Sequence, residues 1–553
     1  MFFDLKFGAL KIVFLVIHSY LSAYDTLKEQ REFFYESYGT SESAKLLISR
    51  DRHHWRYRYL QCINVAGETK TTVSEYPFMY CYAYDNLKSN SPVIGLCLPT
   101  PCSPDKFELA RHWARSMGST NITTFKKVQC GESRDNTQWY ERPFVVANYF
   151  INKVLILILA CSTIYHIKRG IKSKSFARNL FLAFSTLRNF RTITQKPKKQ
   201  EITCIYGLRV IGTAWVILGH SSMIIQGFLK NLEEYRDTVV NNFLYQVVTN
   251  CFLSVDLFFL LSGTLIMHSW LQSKQKKDET SSFSYWLCFY WNRIVRLWPT
   301  LLFSIIYIPI DTAVFLHRPP WRFEDPAKNC AKDWWKNLLF INSIIESNCL
   351  PWTWYIGTDF ILYLISPIYL LTFKKSRELG LTISVATVVV CAILNIITAR
   401  KYNFPPTQFV WNVPPIFNPD YMEHYYTDYT KPQSRIGSYI VGLLLGYHLA
   451  TSDGKLSQRK VLYGWLLSAI LGFISLFGLY PSLQGWHWWS YHLFYTAFHR
   501  TAWAIAVAWL IFSCHSGYAN YLNRFLSSPF FVFVSKTCYT VFLSTYRHSQ
   551  NIK

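Results

Sequence analysis

Charge is scarce in this chain. Asp, Glu, Lys and Arg together make up 16% of 553 residues, and only 33 are acidic. A soluble domain carries about a quarter. Half of the residues are hydrophobic and 18% aromatic, and they gather in long blocks. Several blocks approach the roughly 20 residues that cross a bilayer, which excludes an ordinary soluble protein and makes this an integral membrane protein. Other absences narrow the function. There is no Gly-rich phosphate loop and no nucleophile elbow, which argues against a nucleotide-driven pump and a Ser-type hydrolase. His53-His54 and the group His487, His492 and His499 have no carboxylate or Cys partner at metal-ligand spacing, so packing or surface roles are favoured over zinc. No solenoid repeat and no long disordered tract are present.

The acidic shortage leaves a formal charge of +24. In a soluble protein that excess would point to nucleic acid. Here the cations fall in short segments between apolar blocks, as in Lys196-Pro197-Lys198-Lys199, Lys274-Gln275-Lys276-Lys277 and Lys374-Lys375. The positive-inside bias of membrane proteins accounts for them, and no nucleic-acid partner is expected.

Residues 1–23 read as a signal peptide, with Lys6, an apolar stretch at 12–17 and small Ser22-Ala23. An uncleaved anchor would give the next segment the same sidedness. Residues 24–142 are polar and aromatic and hold Cys62, Cys81, Cys97, Cys102 and Cys130. Such clustering predicts a small disulfide-bonded domain on the luminal or extracellular side. Five is odd, so at least one thiol is free or pairs elsewhere. Asn121-Ile122-Thr123 is a glycosylation acceptor there. Cys330 and Cys349, in a later loop on the same side, are candidates for a further pair. Residues 143–200 hold the first span and a basic linker, and 201–553 the membrane domain.

About ten spans are expected, near 144–167, 202–225, 243–268, 294–316, 352–373, 379–399, 434–450, 461–480, 493–515 and 526–545. With the Cys domain luminal, loops 168–201, 269–293, 374–378 and 451–460 become cytosolic, and these hold the Lys and Arg runs. The fold class is therefore an all-α polytopic membrane protein with a small disulfide-bonded luminal or extracellular N-terminal domain, in the endoplasmic reticulum or plasma membrane. Trp, Tyr and Pro crowd the loops 317–351, 400–433 and 481–492, as an interfacial belt or as the cover of a cavity mouth. Gly442-Leu-Leu-Leu-Gly446 is suited to close helix contact.

Charges inside the spans are the candidate chemistry. Arg209 and His220 stand eleven residues apart, which returns to nearly the same helix face roughly 16 Å further on. Neither suits lipid, so both should face protein or a watery cavity. Asp256, mid-span, needs a partner, with Arg209 or His220 as its counter-charge. An ion pair between spans and direct chemistry remain equally open for it. Arg293 and Arg296, at i and i+3, share a face and could grip an anionic cofactor or snorkel to headgroups. Asp359 is a further embedded carboxylate, while Arg435 and Arg500 open later spans.

Taken together, Tyr206-Gly-Leu-Arg209 through Gly219-His220, Val255-Asp-Leu-Phe-Phe through Ser262-Gly263, and Arg293-Ile-Val-Arg-Leu-Trp-Pro299 resemble the acyltransferase-3 family of membrane enzymes. Trp354-Tyr355 through Asp359 to Ser366-Pro367, Arg435 through Gly446-Tyr447, and Arg500-Thr-Ala-Trp503 are similar to its animal, nose-resistant-to-fluoxetine branch. So is Gly95-Leu-Cys97-Leu-Pro99 through Pro101-Cys102-Ser103, in that branch's Cys-rich domain. The resemblance implies transfer of an acyl group from acyl-CoA, as co-substrate and not a resident cofactor, to a hydroxyl or amine of a lipid or small molecule. Arg209 and His220 are then the catalytic pair, with Asp256 orienting His220 or neutralising Arg209. Arg293 and Arg296 would hold the pyrophosphate. Thr545 stands where the family has a late His, and relatives normally continue beyond Lys553. A carrier of lipids or lipophilic compounds, or an inactive scaffold presenting the Cys domain, are the competing readings.

Overall fold

The computed structural model describes residues 48–49, 78–84, 94–99, 107, 127–131, 139–141, 143–170, 175–197, 201–226, 229, 231–273, 282–315, 326–411, 413–452 and 455–543. The expected signal peptide, Cys62, Cys102 and Asn121 lie outside them, as does the side chain of Cys97. The chain divides into two compact units, the first built mainly from residues 1–136.

In the first unit, four strands form an antiparallel sheet in the order β1-β3-β2-β4: β1 (Ile48–Ser49), β2 (Phe78–Tyr84), β3 (Ile94–Pro99) and β4 (Lys127–Gly131). Cys81 faces Cys130 across the β2–β4 ladder, and the two are joined by a disulfide. Directly opposed residues on neighbouring strands bring their Cβ atoms close, the geometry such a bridge needs. Tyr80 and Cys81 are buried. The alternation Phe78-Met-Tyr-Cys-Tyr-Ala-Tyr84 suits a strand, and the sheet is a feature the Cys spacing alone did not reveal.

The second unit is helical. Its elements are α1 (Pro143–Arg169), α2 (Phe176–Leu182), α3 (Thr186–Thr194), α4 (Cys204–Ile225), α5 (Leu232–Asn241), α6 (Leu253–Gln272), α7 (Phe283–Phe315) and α8 (Pro326–Leu338). There follow α9 (Trp354–Lys375), α10 (Arg377–Tyr402), α11 (Ile436–Thr451), α12 (Gln458–Phe477), α13 (Trp489–His515), α14 (Asn520–Leu526) and α15 (Pro529–Ser535). Among the described residues eight helices are long and apolar enough to cross a membrane: α1, α4, α6, α7, α9, α10, α12 and α13. α11 is apolar but shorter, at 16 residues. The expected span at 526–545 is divided: α15 ends at Ser535, a turn takes Lys536 and Thr537, and helix resumes over 538–543.

Burial sorts these helices. α6 and α9 bury 67% and 61% of their apolar windows, whereas α12 and α1 bury 6% and 11%. The first two are therefore the centre of the bundle and the last two its lipid-facing rim. α6 packs on α11 without intervening side chains. A Cβ on Gly442 would collide with the carbonyl of Leu260, one on Gly446 with that of Thr264, and one on Gly263 with that of Tyr439. The order of these contacts makes the two helices parallel, and the Gly442-x3-Gly446 spacing serves this close approach. The expected pair Cys330–Cys349 forms a disulfide that ties α8 to the segment before α9.

Candidate functional site

A cavity of about 810 Å³ opens among α4, α6, α7, α9 and the segment after α15. That volume is typical of a site for a sizeable organic ligand. Its lining runs along α6 over residues 255–273, eighteen steps and so roughly 27 Å of helix. One stretch is apolar, with Val216, Val255, Phe258, Ile356 and Phe542; another is polar and aromatic, with Ser269, Trp270, Ser273 and Tyr285.

Four cations face this space, Arg209, Arg293, Arg296 and Lys536, against the one carboxylate of Asp359. Arg293 forms an ion pair with Asp359, reaches Ser262 Oγ at 3.4 Å, and lies 5.0 Å over the Tyr363 ring. Arg293 Nε and Asp359 Oδ1 are shielded from solvent and have no hydrogen-bond partner. Among the described residues neither Arg209 nor Arg296 makes an ion pair, and the two repel one another. Lys536 donates to the carbonyls of Thr192, Ile193 and Gln195 at 3.1, 3.0 and 2.8 Å, which satisfies the last turn of α3. Guanidinium donors in this number outnumber the single carboxylate, and their chemistry suits oxyanions.

His220 stands on the same face of α4 as Arg209, Thr213 and Val216. The cavity lining reaches Val216, and His220 lies one turn beyond, about 6 Å further along the axis. Its Nδ1 has no hydrogen-bond partner. Gly219 sets the position of that turn, because any side chain there would strike Sγ of Cys251.

Asp256 is elsewhere, contrary to the expectation that it serves Arg209 or His220. Arg435 Nη1 donates to its Oδ2 at 2.7 Å and Ser438 Oγ to its Oδ1 at 3.0 Å. Asp256 and Arg435 are fully buried. The cause is the parallel α6–α11 contact, which carries Ser438 past Asp256 in the register that sets Gly442 against Leu260. Arg435 also donates to the Tyr429 carbonyl from Nε at 3.2 Å and Nη2 at 3.1 Å, and lies 4.3 Å over the Tyr429 ring.

Arg500 likewise belongs to this second cluster. Its Nη2 is 3.7 Å from Asp428 Oδ2, and its Nη1 donates to the Ser434 carbonyl at 3.2 Å. His424 Nε2 is 3.8 Å from Asp428 and Ser434 Oγ donates to Asp428 at 2.8 Å. Burial opposes the charge on Asp428, but His424, Arg500 and Ser434 override it and hold the carboxyl well below the usual carboxylate range.

The structure thus brings Arg209, Arg293, Arg296 and Asp359 together, sets His220 one turn away on the same face, and gives Asp256, Arg435 and Arg500 to a closed network. Arg293 and Arg296 both line the cavity. Sequence reasoning missed Lys536, whose signal was a lone cation inside an apolar block. It also missed Asp428 and His424, in the Tyr-rich stretch before α11.

An acyltransferase-domain family model matches residues 202–545, more than half of the chain. A relative from Caenorhabditis elegans, nose resistant to fluoxetine protein 6, is 25% identical over 81% of this chain and 59% of its own length. A second from the same organism, regulator of hypoxia-inducible factor 1, is 23% identical over 50% of this chain and 56% of its own. The chain spans a little over half the length of both relatives. No solved structure matches it. The matched segment contains Arg209, His220, Arg293, Arg296 and Asp359, and the chain is a multi-pass membrane protein of the acyltransferase-3 family.

Proposed function

We propose that this chain transfers an acyl group from acyl-CoA to a hydroxyl or amine acceptor, a membrane lipid or a small molecule. The observation that carries the reading is the cation-lined cavity inside the bundle, with Arg209 and Arg296 unpaired. Arg293 and Arg296 hold the donor pyrophosphate as paired forks, and Asp359 fixes Arg293 in place. The remainder of the donor lies along α6 and brings its thioester towards Val216. There the acceptor attacks the carbonyl carbon while His220 takes its proton. The new bond to the acceptor forms, the C–S bond breaks, and CoA leaves as the free thiol with the proton that His220 took from the acceptor. Arg209 stabilises the negative charge that develops on the carbonyl oxygen. The disulfide-bonded first unit favours a luminal or extracellular side for the N-terminal domain.

The test is transfer of a labelled acyl group in proteoliposomes. His220→Gln is expected to lower kcat at least about 100-fold, the scale of a lost general base, with the unfolding temperature unchanged. Equal turnover in the variant and the wild type removes His220 from the mechanism. Movement of a lipophilic compound across the bilayer with no acylated product, in the wild type, would replace the enzyme by a carrier.

A further inference from the structure

Helices α2 and α3 form a shelf folded back against the end of α1. Ser162 Oγ donates to the Phe181 carbonyl at 2.7 Å, Thr163 and Thr186 pair through their hydroxyls at 2.8 Å, and His166 Nδ1 meets Ser185 Oγ at 2.7 Å. Tyr165 and Phe181 pack edge to face at 5.9 Å. The far end of the shelf is held by Lys536 on the last carbonyls of α3. Ser162 lies seven residues before Arg169, the last residue of α1, which is roughly 10 Å of helix. The shelf is therefore pinned at the depth of the final two turns of a span. That is the boundary between acyl chains and headgroups.

What it presents there is specific. Phe176, Leu180 and Phe184 recur at helical spacing and are exposed, as is Phe190 on α3. Among them stand Arg178, Arg191 and Lys196, exposed, and Arg188, half-buried with Nη1 unpartnered. From 168 to 200 the sequence has ten Lys or Arg and no Asp or Glu. Exposed phenylalanines on a soluble face would be a liability, and a basic stretch without acidic residues has no internal partner. Both features fit one occupant.

We propose that α2–α3 is an in-plane shelf that binds anionic phospholipid. Arg178, Arg188, Arg191 and Lys196 engage headgroup phosphates, while Phe176, Leu180, Phe184 and Phe190 insert beneath them. Because Lys536 joins the shelf to the rim of the cavity, the lipid surface and the cavity share a wall.

The test is hydrogen–deuterium exchange of residues 176–196 in the full chain, in nanodiscs of phosphatidylcholine alone and of phosphatidylcholine with phosphatidylserine. The expected result is several-fold slower exchange of the shelf with phosphatidylserine, with α6 and α9 unchanged. The slowing is expected to vanish with high salt and in the variant Arg178→Gln/Arg188→Gln/Arg191→Gln. Exchange of α6 in that variant reports whether it is folded, and the wild-type comparison between lipids stands without it. Equal exchange in the two bilayers overturns the proposal. So does slowing by inorganic phosphate in phosphatidylcholine alone, which would mark a site for free anions.

Discussion

Two groups of arginines in one bundle are built in opposite ways, one buried and one along an open cavity. Around Asp256, two arginines meet two aspartates, serine hydroxyls complete the carboxylates, and aromatic rings cover Arg435. Around Asp359, three arginines stand near one carboxylate and line about 810 Å³ of space. A buried charge without a partner costs several kcal/mol, which the first group avoids by pairing, whereas Arg296 is exposed and Arg209 half-exposed along the open cavity. Charge within a span therefore marks function only after its pairing is known. Asp256 and Arg293 look alike in the sequence, and they do different work.

Removing Asp256 should break this contrast most visibly. Asp256→Ala leaves Arg435 fully buried with only the Tyr429 carbonyl as acceptor, a loss expected to cost about 3–5 kcal/mol. It should appear as a large drop in the thermal unfolding midpoint in detergent. The double variant Asp256→Leu/Arg435→Met, which removes both charges, should recover most of it. If Asp256→Ala unfolds with the wild type and only transfer is lost, the closed network is part of the chemistry and the comparison fails.

Arg296 tests the other side. Arg296→Gln removes an unpaired cation from the cavity wall, so stability should change by no more than about 0.5 kcal/mol. A charged contact to donor phosphate is worth about 1.5 kcal/mol at its lower end, so KM for acyl-CoA should rise roughly tenfold with kcat nearly kept. A stability loss on the scale of Asp256→Ala would show that Arg296 is structural.

These expectations also show what could be read in advance. Spacing alone placed Arg293 and Arg296 on one face, and Arg209 and His220 on another, because helical periodicity is a local property. Cys330 and Cys349 were close in the chain and fell in one loop. The glycine spacing at 442 and 446 announced a close helix contact. The partner of Asp256 was not legible, since Arg435 lies 179 residues away and is delivered by the register of α6 on α11. The cavity was hidden for the same reason, being assembled from five separate segments. Lys536 was absorbed into an apolar block, and only the break after α15 turns it towards α3. The sheet of the Cys-bearing unit escaped because the cysteines outweighed the short alternating run that builds β2.

The smallest expected effect concerns acid. Asp428 lies in the connection before α11, and its carboxyl is held below its ordinary value by contacts that outweigh burial. A depressed carboxyl stabilises the fold fully above its unfolded value, about 3.9, and this stabilisation fades as pH falls below that value towards the folded one. Between pH 6 and pH 3.5 only the upper part of the loss is reached, about 0.7 kcal/mol by linkage. Many carboxylates titrate in that window, so the measurement is a difference. The stability gap between wild type and Asp428→Asn should narrow by that amount on acidification, with the wild type the more stable at pH 6. A gap that stays constant would mean that Arg500 and His424 do not hold Asp428 ionised. The second cluster would then lose the closure that sets it apart from the cavity.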